Sequence, residues 1–118
     1  MEYYRNAKGQ IAVLVSGGYG AGWSTWNTEE LAYDERVVEF WLSKKDDSAF
    51  LRELASFGDN DVKKQTRAFF ASLGYHDVYF GGFANLHIEW INPGEPFYIH
   101  EYDGSESLET YGSFTVLV

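Results

Sequence analysis

The chain has 118 residues and no cysteine, which excludes disulfides, thiolate metal sites and a cysteine nucleophile. Apolar residues make up 45% and aromatic residues 19%, so we expect one folded domain over residues 1–118 rather than a disordered chain. The net charge is −9, and no Lys or Arg follows Arg67, so the C-terminal part should repel nucleic acid. No apolar run approaches the roughly 18 residues of a membrane span. The N-terminus lacks an apolar signal region, and we therefore expect a cytoplasmic protein without membrane contact.

The first predicted element is a strand at residues 11–15, whose continuous apolar run is typical of burial on both faces. Three helices should follow, because apolar side chains recur at helical spacing between residues 37 and 73. Gly58 and Gly74 are expected to end the second and third helices. The expected N-cap residues are, in chain order, Asp34, Asp46 or Asp47, and Asn60.

From Asp77 onwards the apolar period changes to two, which indicates β-strands. Asn92–Glu95 reads as a type II turn that closes a hairpin, and Asp103–Gly104 is a second turn signal. Predicted strands cover residues 78–80, 86–91, 97–102 and 114–118. This order indicates an α+β domain, an antiparallel sheet of about four to five strands with two to three helices packed on one face. The apolar last strand suits the sheet interior or a contact within a homo-oligomer.

If Asn92–Glu95 closes a hairpin, His87 faces His100 and Glu89 faces Tyr98. Two imidazoles and a carboxylate could then hold zinc or act as acid and base. The residues left to complete a metal site are His76, Glu101 and Asp103. Because this ligand set is incomplete, we assign no metal, cofactor or catalytic residue.

A glycine-rich loop at residues 16–27 is the most unusual feature of the sequence. Glycine-rich turns after a strand can direct N–H groups at a phosphate, although neither the dinucleotide nor the triphosphate fingerprint is present. Its aromatic rings could stack on a base, while hydroxyl and amide groups bind the base edges. The candidate ligand-binding residues are Gly18, Tyr19, Gly20, Gly22, Trp23, Ser24, Thr25, Trp26 and Asn27. The alternative is a structural loop in which the glycines allow close packing and both tryptophans belong to the core.

A second candidate surface lies on the acidic C-terminal part of the chain. Such a surface could bind a basic protein, or imitate the phosphate backbone for a nucleic-acid-binding protein. The alternative is that these acidic residues bind no partner and only keep the domain soluble. The candidate partner-binding residues are Tyr98, His100, Glu101, Tyr102, Asp103 and Glu106.

Residues 17–27, and the segment from Ile88 to Glu106, resemble motifs of small uncharacterised proteins encoded by tailed bacteriophages. The resemblance implies a phage accessory protein acting in the cytoplasm of the host cell, and it carries over no catalytic residues. We therefore expect a non-enzymatic binding protein that counters host defence by sequestering a nucleotide-like small molecule. One alternative is an acidic inhibitor of a host defence protein or nucleic-acid enzyme. Another is a small metal-dependent or His/Glu acid–base enzyme.

Overall fold

The computed structural model describes residues 1–18 and 20–110, so Tyr19 and the predicted strand at residues 114–118 lie outside the described part. The described residues form four strands and three helices, which confirms the α+β class. They are β1 (Ile11–Ser16), α1 (Glu35–Lys44), α2 (Ser48–Ala55), α3 (Asp61–Ser72), β2 (Leu86–Ile91), β3 (Phe97–Tyr102) and β4 (Ser105–Thr110). Three short 3₁₀ helices cover Ser24–Trp26, Glu29–Ala32 and Phe83–Asn85.

The described strands form two antiparallel pairs rather than the single predicted sheet of four to five strands. Strand β1 pairs with β2, and β3 pairs with β4. The predicted pairing of β2 with β3 is therefore wrong. Asn92–Glu95 does form a turn, with the Glu95 N–H donating to the Asn92 carbonyl at 3.0 Å, but the turn carries the chain from one sheet into the other. The tight hairpin is at Asp103–Gly104, where both residues have the positive φ of a type I′ turn, 52° and 84°.

Strand β1 is the centre of the fold, and all six of its residues are buried. Ala12 and Leu14 pack into the core formed with the helices. Val13 and Val15 point the other way, into a second core that includes side chains of β3 and β4. The β1–β2 sheet thus lies between the helices and the β3–β4 hairpin, because successive side chains of a strand face opposite sides.

The three helices begin at predicted N-cap residues, and α3 ends at Gly74 as predicted, whereas α2 ends at Ala55 with Ser56 as its C-cap, before the predicted Gly58. The side chains of Asp34, Asp47 and Asn60 each accept a hydrogen bond from a backbone N–H in the first turn of their helix. Helix α3 ends in a Schellman motif, in which Gly74 and Tyr75 donate to carbonyls of the last turn, both at 3.0 Å. Local capping chemistry therefore fixes the helix boundaries.

The predicted strand at residues 78–80 is wrong, since this segment has no regular structure. Its backbone is instead bound by the side chain of Asn27. The Tyr79 N–H donates to the Asn27 carboxamide oxygen at 2.8 Å, and the Asn27 amide donates back to the Tyr79 carbonyl at 2.9 Å. A side chain thus replaces the neighbouring strand that Tyr79 would otherwise need.

Candidate functional site

The glycine loop, residues 16–27, is built around a carboxylate from the chain itself. Glu106 of β4 reaches into the loop and is only 3% exposed. It accepts hydrogen bonds from the backbone N–H groups of Ser16 (2.9 Å), Trp23 (2.8 Å) and Thr25 (3.1 Å), and from the Thr25 hydroxyl (2.5 Å). Backbone N–H groups that converge in this way form an anion site, and here the anion is internal. Glu106 is thus buried, and its predicted role at an exposed partner surface is wrong.

Trp23 is a core residue and does not face a ligand. Its side chain is fully buried, with ring centroids 5.7–6.2 Å from Phe70, Phe80 and Phe83. Its indole N–H donates to the Leu31 carbonyl at 2.9 Å. The predicted stacking of Trp23 on a ligand is therefore wrong. The neighbouring candidates Gly22 and Ser24 are buried as well.

Two glycines outside the loop let other turns approach its backbone closely. A Cβ atom on Gly104 would lie 2.5 Å from the Ala21 nitrogen, and one on Gly82 would lie 2.7 Å from the Gly22 oxygen. The Gly20 N–H also donates to the Asp103 carbonyl at 3.3 Å. The glycine loop and the β3–β4 hairpin therefore meet in space, which the sequence left open.

Trp26 is the exposed tryptophan of the loop. It is 43% exposed and stacks on Tyr79, itself 51% exposed, with ring centroids 5.9 Å apart and planes inclined by 26°. Its indole N–H donates to the Glu101 carboxylate at 3.3 Å. The backbone N–H of Gly104, at 2.8 Å, and then the Trp26 indole hold the pKa of Glu101 below its usual value. The stacked rings thus lie beside an ionised carboxylate.

A groove of about 600 Å³, here called the loop groove, opens beside this ring pair. It runs between the glycine loop, residues 78–81 and the connection from α2 to α3. The described residues that line it include two cations and no acid. Those with groups suited to ligand binding are Gly20, Lys63, Arg67, Tyr79, Gly81 and Asn85.

Each of the two cations in the loop groove already has protein partners. The Lys63 ammonium donates to the backbone carbonyls of Ser56 and Gly58, which leave its positive charge uncancelled. The Arg67 guanidinium pairs with Asp59 at 2.6 Å, and both side chains are about half exposed. Neither cation was predicted from the sequence to line a ligand site. The available signal was that α3 carries the last basic residues before a stretch containing only acids.

The other candidate surface is the outer face of the β3–β4 hairpin. Tyr98, His100 and Tyr102 alternate along β3 and are exposed, Tyr102 by 72%. Glu101 and Glu106 lie directly opposite each other and belong to the other, inward-facing set of side chains. The predicted partner residues are therefore divided between the two faces of the hairpin.

The predicted facing of His87 and His100 is wrong, because they lie in different sheets. His87 is opposite Val15 of β1, whereas His100 is opposite Ser107 of β4. The near partner of His87 is Glu89, at 3.2 Å. Across residues 1–18 and 20–110, no group of three or more His, Asp or Glu side chains is arranged to hold a metal ion.

Within the same ranges, no helix is both long and apolar enough to cross a bilayer. Comparisons with protein-family models, curated proteins and solved structures found no match to this chain.

Proposed function

We propose that the protein is a non-enzymatic binding protein that takes a nucleotide-like small molecule, bearing a phosphate or similar anion, in the loop groove. The observation that carries this proposal is the charge of the groove. The chain has 18 acidic and 9 basic residues, yet the described lining of the groove contains Lys63 and Arg67 and no acid. An anionic ligand would therefore meet the uncancelled charge of Lys63, and that of Arg67 in competition with Asp59, on an otherwise acidic protein.

The size and accessibility of the groove support this assignment. Its volume of about 600 Å³ lies within the range of roughly 300–1,000 Å³ that is usual for small-molecule sites. Arg67 presents a planar guanidinium suited to bidentate phosphate binding. Its ion pair with Asp59 is half exposed, and such pairs contribute little to stability, so a phosphate can compete with the aspartate.

Tyr79 supplies an exposed ring for the planar part of the ligand. The ring is supported from one side by Trp26, which holds it beside the groove. Bases stack on aromatic side chains with a gain of about 1–3 kcal/mol each. In this proposal, Tyr79 rather than Trp23 stacks on the planar part of the ligand.

We extend this proposal to the biological setting that the phage resemblance implies. In that setting the protein binds a signalling nucleotide of the host defence and removes it from solution. Sequestration of this kind requires a binding site and no catalytic group.

The proposal is tested by calorimetric titration of the full chain with AMP, ATP and a cyclic dinucleotide. Arg67→Gln should weaken binding by about 10- to 100-fold, the effect of one charge-assisted hydrogen bond. Lys64→Gln is the matched control, because Lys64 lies on the same helix but does not line the loop groove. Absence of binding by the unaltered protein, or equal binding by both variants, would contradict the proposal.

A second candidate function is inhibition of a basic host protein by the outer face of the hairpin. Its support is the exposed tyrosine, imidazole and acid set of Tyr98, His100, Tyr102 and Asp103, on a part of the chain without Lys or Arg. Tyrosine is enriched in protein interfaces. The test is capture of a host protein by the purified chain at increasing salt concentration. Binding that weakens with salt, that is lost in Asp103→Lys and that is retained in Arg67→Gln would favour this function over ligand binding.

A further inference from the structure

A second groove, here called the aromatic groove, lies at the opposite end of β3 from the Asp103–Gly104 turn. It has a volume of about 310 Å³ and is formed where β1 begins, β2 ends and β3 begins. Three aromatic side chains line it, those of Tyr3, Tyr33 and Phe97. The residues that line it are all different from those of the loop groove.

The three rings of the aromatic groove stand at large angles to one another. The centroids of Tyr3 and Tyr33 are 5.6 Å apart with planes inclined by 50°, and those of Tyr33 and Phe97 are 6.1 Å apart with planes inclined by 89°. Rings in such an arrangement can present their electron-rich faces to one cation from two sides. Tyr3 is 38% exposed, whereas Tyr33 and Phe97 are half-buried, so the rings are accessible to a ligand.

The protein already places one of its own cations on this aromatic surface. The Arg5 guanidinium lies 5.9 Å from the centroid of the Tyr3 ring, within the range of a cation–π interaction. It also donates a hydrogen bond to the Gly9 carbonyl at 3.3 Å, which holds it at the Tyr3 end of the groove. Across residues 1–18 and 20–110, no Lys or Arg lies over the ring of Tyr33 or Phe97.

The charged side chains of the aromatic groove favour a cation over an anion. Two carboxylates line it, those of Glu29 and Glu95, against the single guanidinium of Arg5. Neither glutamate forms an ion pair with another described residue. Burial, and then the negative charges of Glu29 and Glu30, raise the pKa of Tyr33, so the carboxylates act on the central ring. The loop groove has the opposite composition, with two cations and no acid among its described lining residues.

We propose that the aromatic groove binds a small organic cation with a quaternary ammonium group, such as choline. A quaternary ammonium group has no N–H to satisfy, so aromatic faces suit it, whereas a primary ammonium needs hydrogen-bond acceptors. The volume of the groove is at the lower end of the range of roughly 300–1,000 Å³ for small-molecule sites, which favours a free small molecule as the occupant.

An NMR titration of the full chain with choline tests this proposal. The comparison ligand is dimethylbutanol, the uncharged analogue in which carbon replaces the quaternary nitrogen of choline. We expect choline to bind at least about 10-fold more tightly than dimethylbutanol, because only choline gains the cation–π and ionic attraction. The shifted amide signals should include those of Tyr33, Glu95 and Phe97, while those of Gly20 and Gly81 in the loop groove stay in place.

A charge variant tests the contribution of the carboxylates. Glu29→Gln should weaken choline binding by about 2- to 5-fold, the effect of one exposed ionic contact, and leave dimethylbutanol binding unchanged. Glu89→Gln is the matched control, because Glu89 is exposed on β2 and does not line the aromatic groove. Equal effects of the two substitutions would contradict the role given to Glu29.

A ring variant tests the contribution of the aromatic faces. Tyr33→Leu keeps an apolar side chain and should weaken choline binding by about 10-fold, with little effect on dimethylbutanol. Tyr102→Leu is the control, because Tyr102 is 72% exposed and does not line the groove. Since Tyr33 packs against the second core, Tyr3→Leu, at a more exposed position, provides the same test should Tyr33→Leu fail to fold.

Four results would overturn the proposal. Equal affinities for choline and dimethylbutanol would show that the groove selects apolar surface and not charge. Choline-induced shifts confined to residues outside the groove, or no shift at millimolar choline, would remove the site. Tighter binding of a trimethyllysine peptide than of choline, or retention of the chain on phosphatidylcholine vesicles, would assign the groove to a modified protein or a membrane surface. None of these results depends on whether a nucleotide binds in the loop groove.

Discussion

The Glu106 carboxylate lies 2.8 Å from the backbone nitrogen of Trp23, although 82 residues separate the two positions in the chain. This contact joins the β3–β4 hairpin to the glycine loop and fixes the tryptophan that anchors the core. The loop therefore has the form of an anion site whose anion is supplied internally. The loop backbone that binds Glu106 is therefore already occupied, and the ligand site that we propose lies beside it, in the loop groove.

Glu106→Gln should lower the free energy of unfolding by about 1–3 kcal/mol, because an amide group would then face a buried N–H and leave that donor without an acceptor. Urea denaturation measures the change. Glu39→Gln, at an exposed position on α1, is the control and should stay within about 0.5 kcal/mol of the unaltered protein. An equal effect of both substitutions would contradict the role given to Glu106.

Gly104→Ala should destabilise the protein more than Gly94→Ala does. Both glycines have positive φ, 84° and 78°, so both substitutions carry a left-handed backbone cost of about 1–2 kcal/mol. Only the Cβ atom at position 104 would also meet a backbone atom, the Ala21 nitrogen at 2.5 Å, which adds roughly 1–3 kcal/mol of overpacking. Thermal unfolding of the two variants measures the difference, and equal melting temperatures would show that the approach to Ala21 is not tight.

Asn27→Asp should release Tyr79 from the loop. The Asn27 amide donates to both the Trp23 and Tyr79 carbonyls at 2.9 Å, and an aspartate would offer those carbonyls a repelling oxygen. We expect a loss of about 1–3 kcal/mol in unfolding free energy and a changed near-ultraviolet circular dichroism signal from the Trp26–Tyr79 stack. Asn92→Asp, in an exposed turn, is the control that should leave both quantities unchanged.

Tyr75→Phe should have an effect that depends on pH. The Tyr75 hydroxyl donates to the buried Asp34 carboxylate at 2.7 Å, as does Arg36. Burial raises the pKa of Asp34, but these hydrogen bonds outweigh burial and leave the pKa below its usual value. Burial, and then the bond to Asp34, raise the pKa of Tyr75.

The pH range in which Tyr75→Phe has its full effect follows from the directions of the Asp34 and Tyr75 pKa shifts. The contribution of Asp34 is present above its unfolded pKa of about 3.9 and is lost as the pH falls through the lower folded value. The contribution of Tyr75 is present below its unfolded pKa of about 10 and is lost as the pH rises towards the higher folded value. Tyr75→Phe should therefore cost about 1.5–3 kcal/mol near pH 7 and less below pH 4 or above pH 10. Urea unfolding across this pH range measures the loss, with Tyr102→Phe as the exposed control. A loss of unfolding free energy that does not change with pH would contradict the coupling between Tyr75 and Asp34.

Local sequence patterns predicted the helices and turns of this fold better than they predicted which strands pair. The N-caps at Asp34, Asp47 and Asn60 act within one helical turn, and the corresponding helices were predicted. The turn at Asn92–Glu95 was also predicted, but a turn does not determine whether the strands beside it pair. Here burial of both faces of β1 decided the pairing, because the hairpin had to cover Val13 and Val15.

The candidate site was predicted only in part, for the same reason. The density of glycines located a loop with unusual backbone contacts, but those contacts are with Glu106 and Gly104, about 80 residues further along the chain. No local pattern marks a carboxylate that will be buried. The placement of Lys63 and Arg67 in the loop groove likewise depends on the packing of α3 against residues distant in sequence.

The most direct test of the loop groove as the ligand site is a ¹H–¹⁵N NMR titration of the full chain with AMP, ATP and a cyclic dinucleotide. A nucleotide that binds should shift the amide signals of Gly20, Tyr79 and Gly81 and the Arg67 side-chain signal, while the buried amide of Trp23 stays in place. Shifts confined to Tyr98, His100 and Tyr102, or no shift with any of the nucleotides at millimolar concentration, would contradict the assignment.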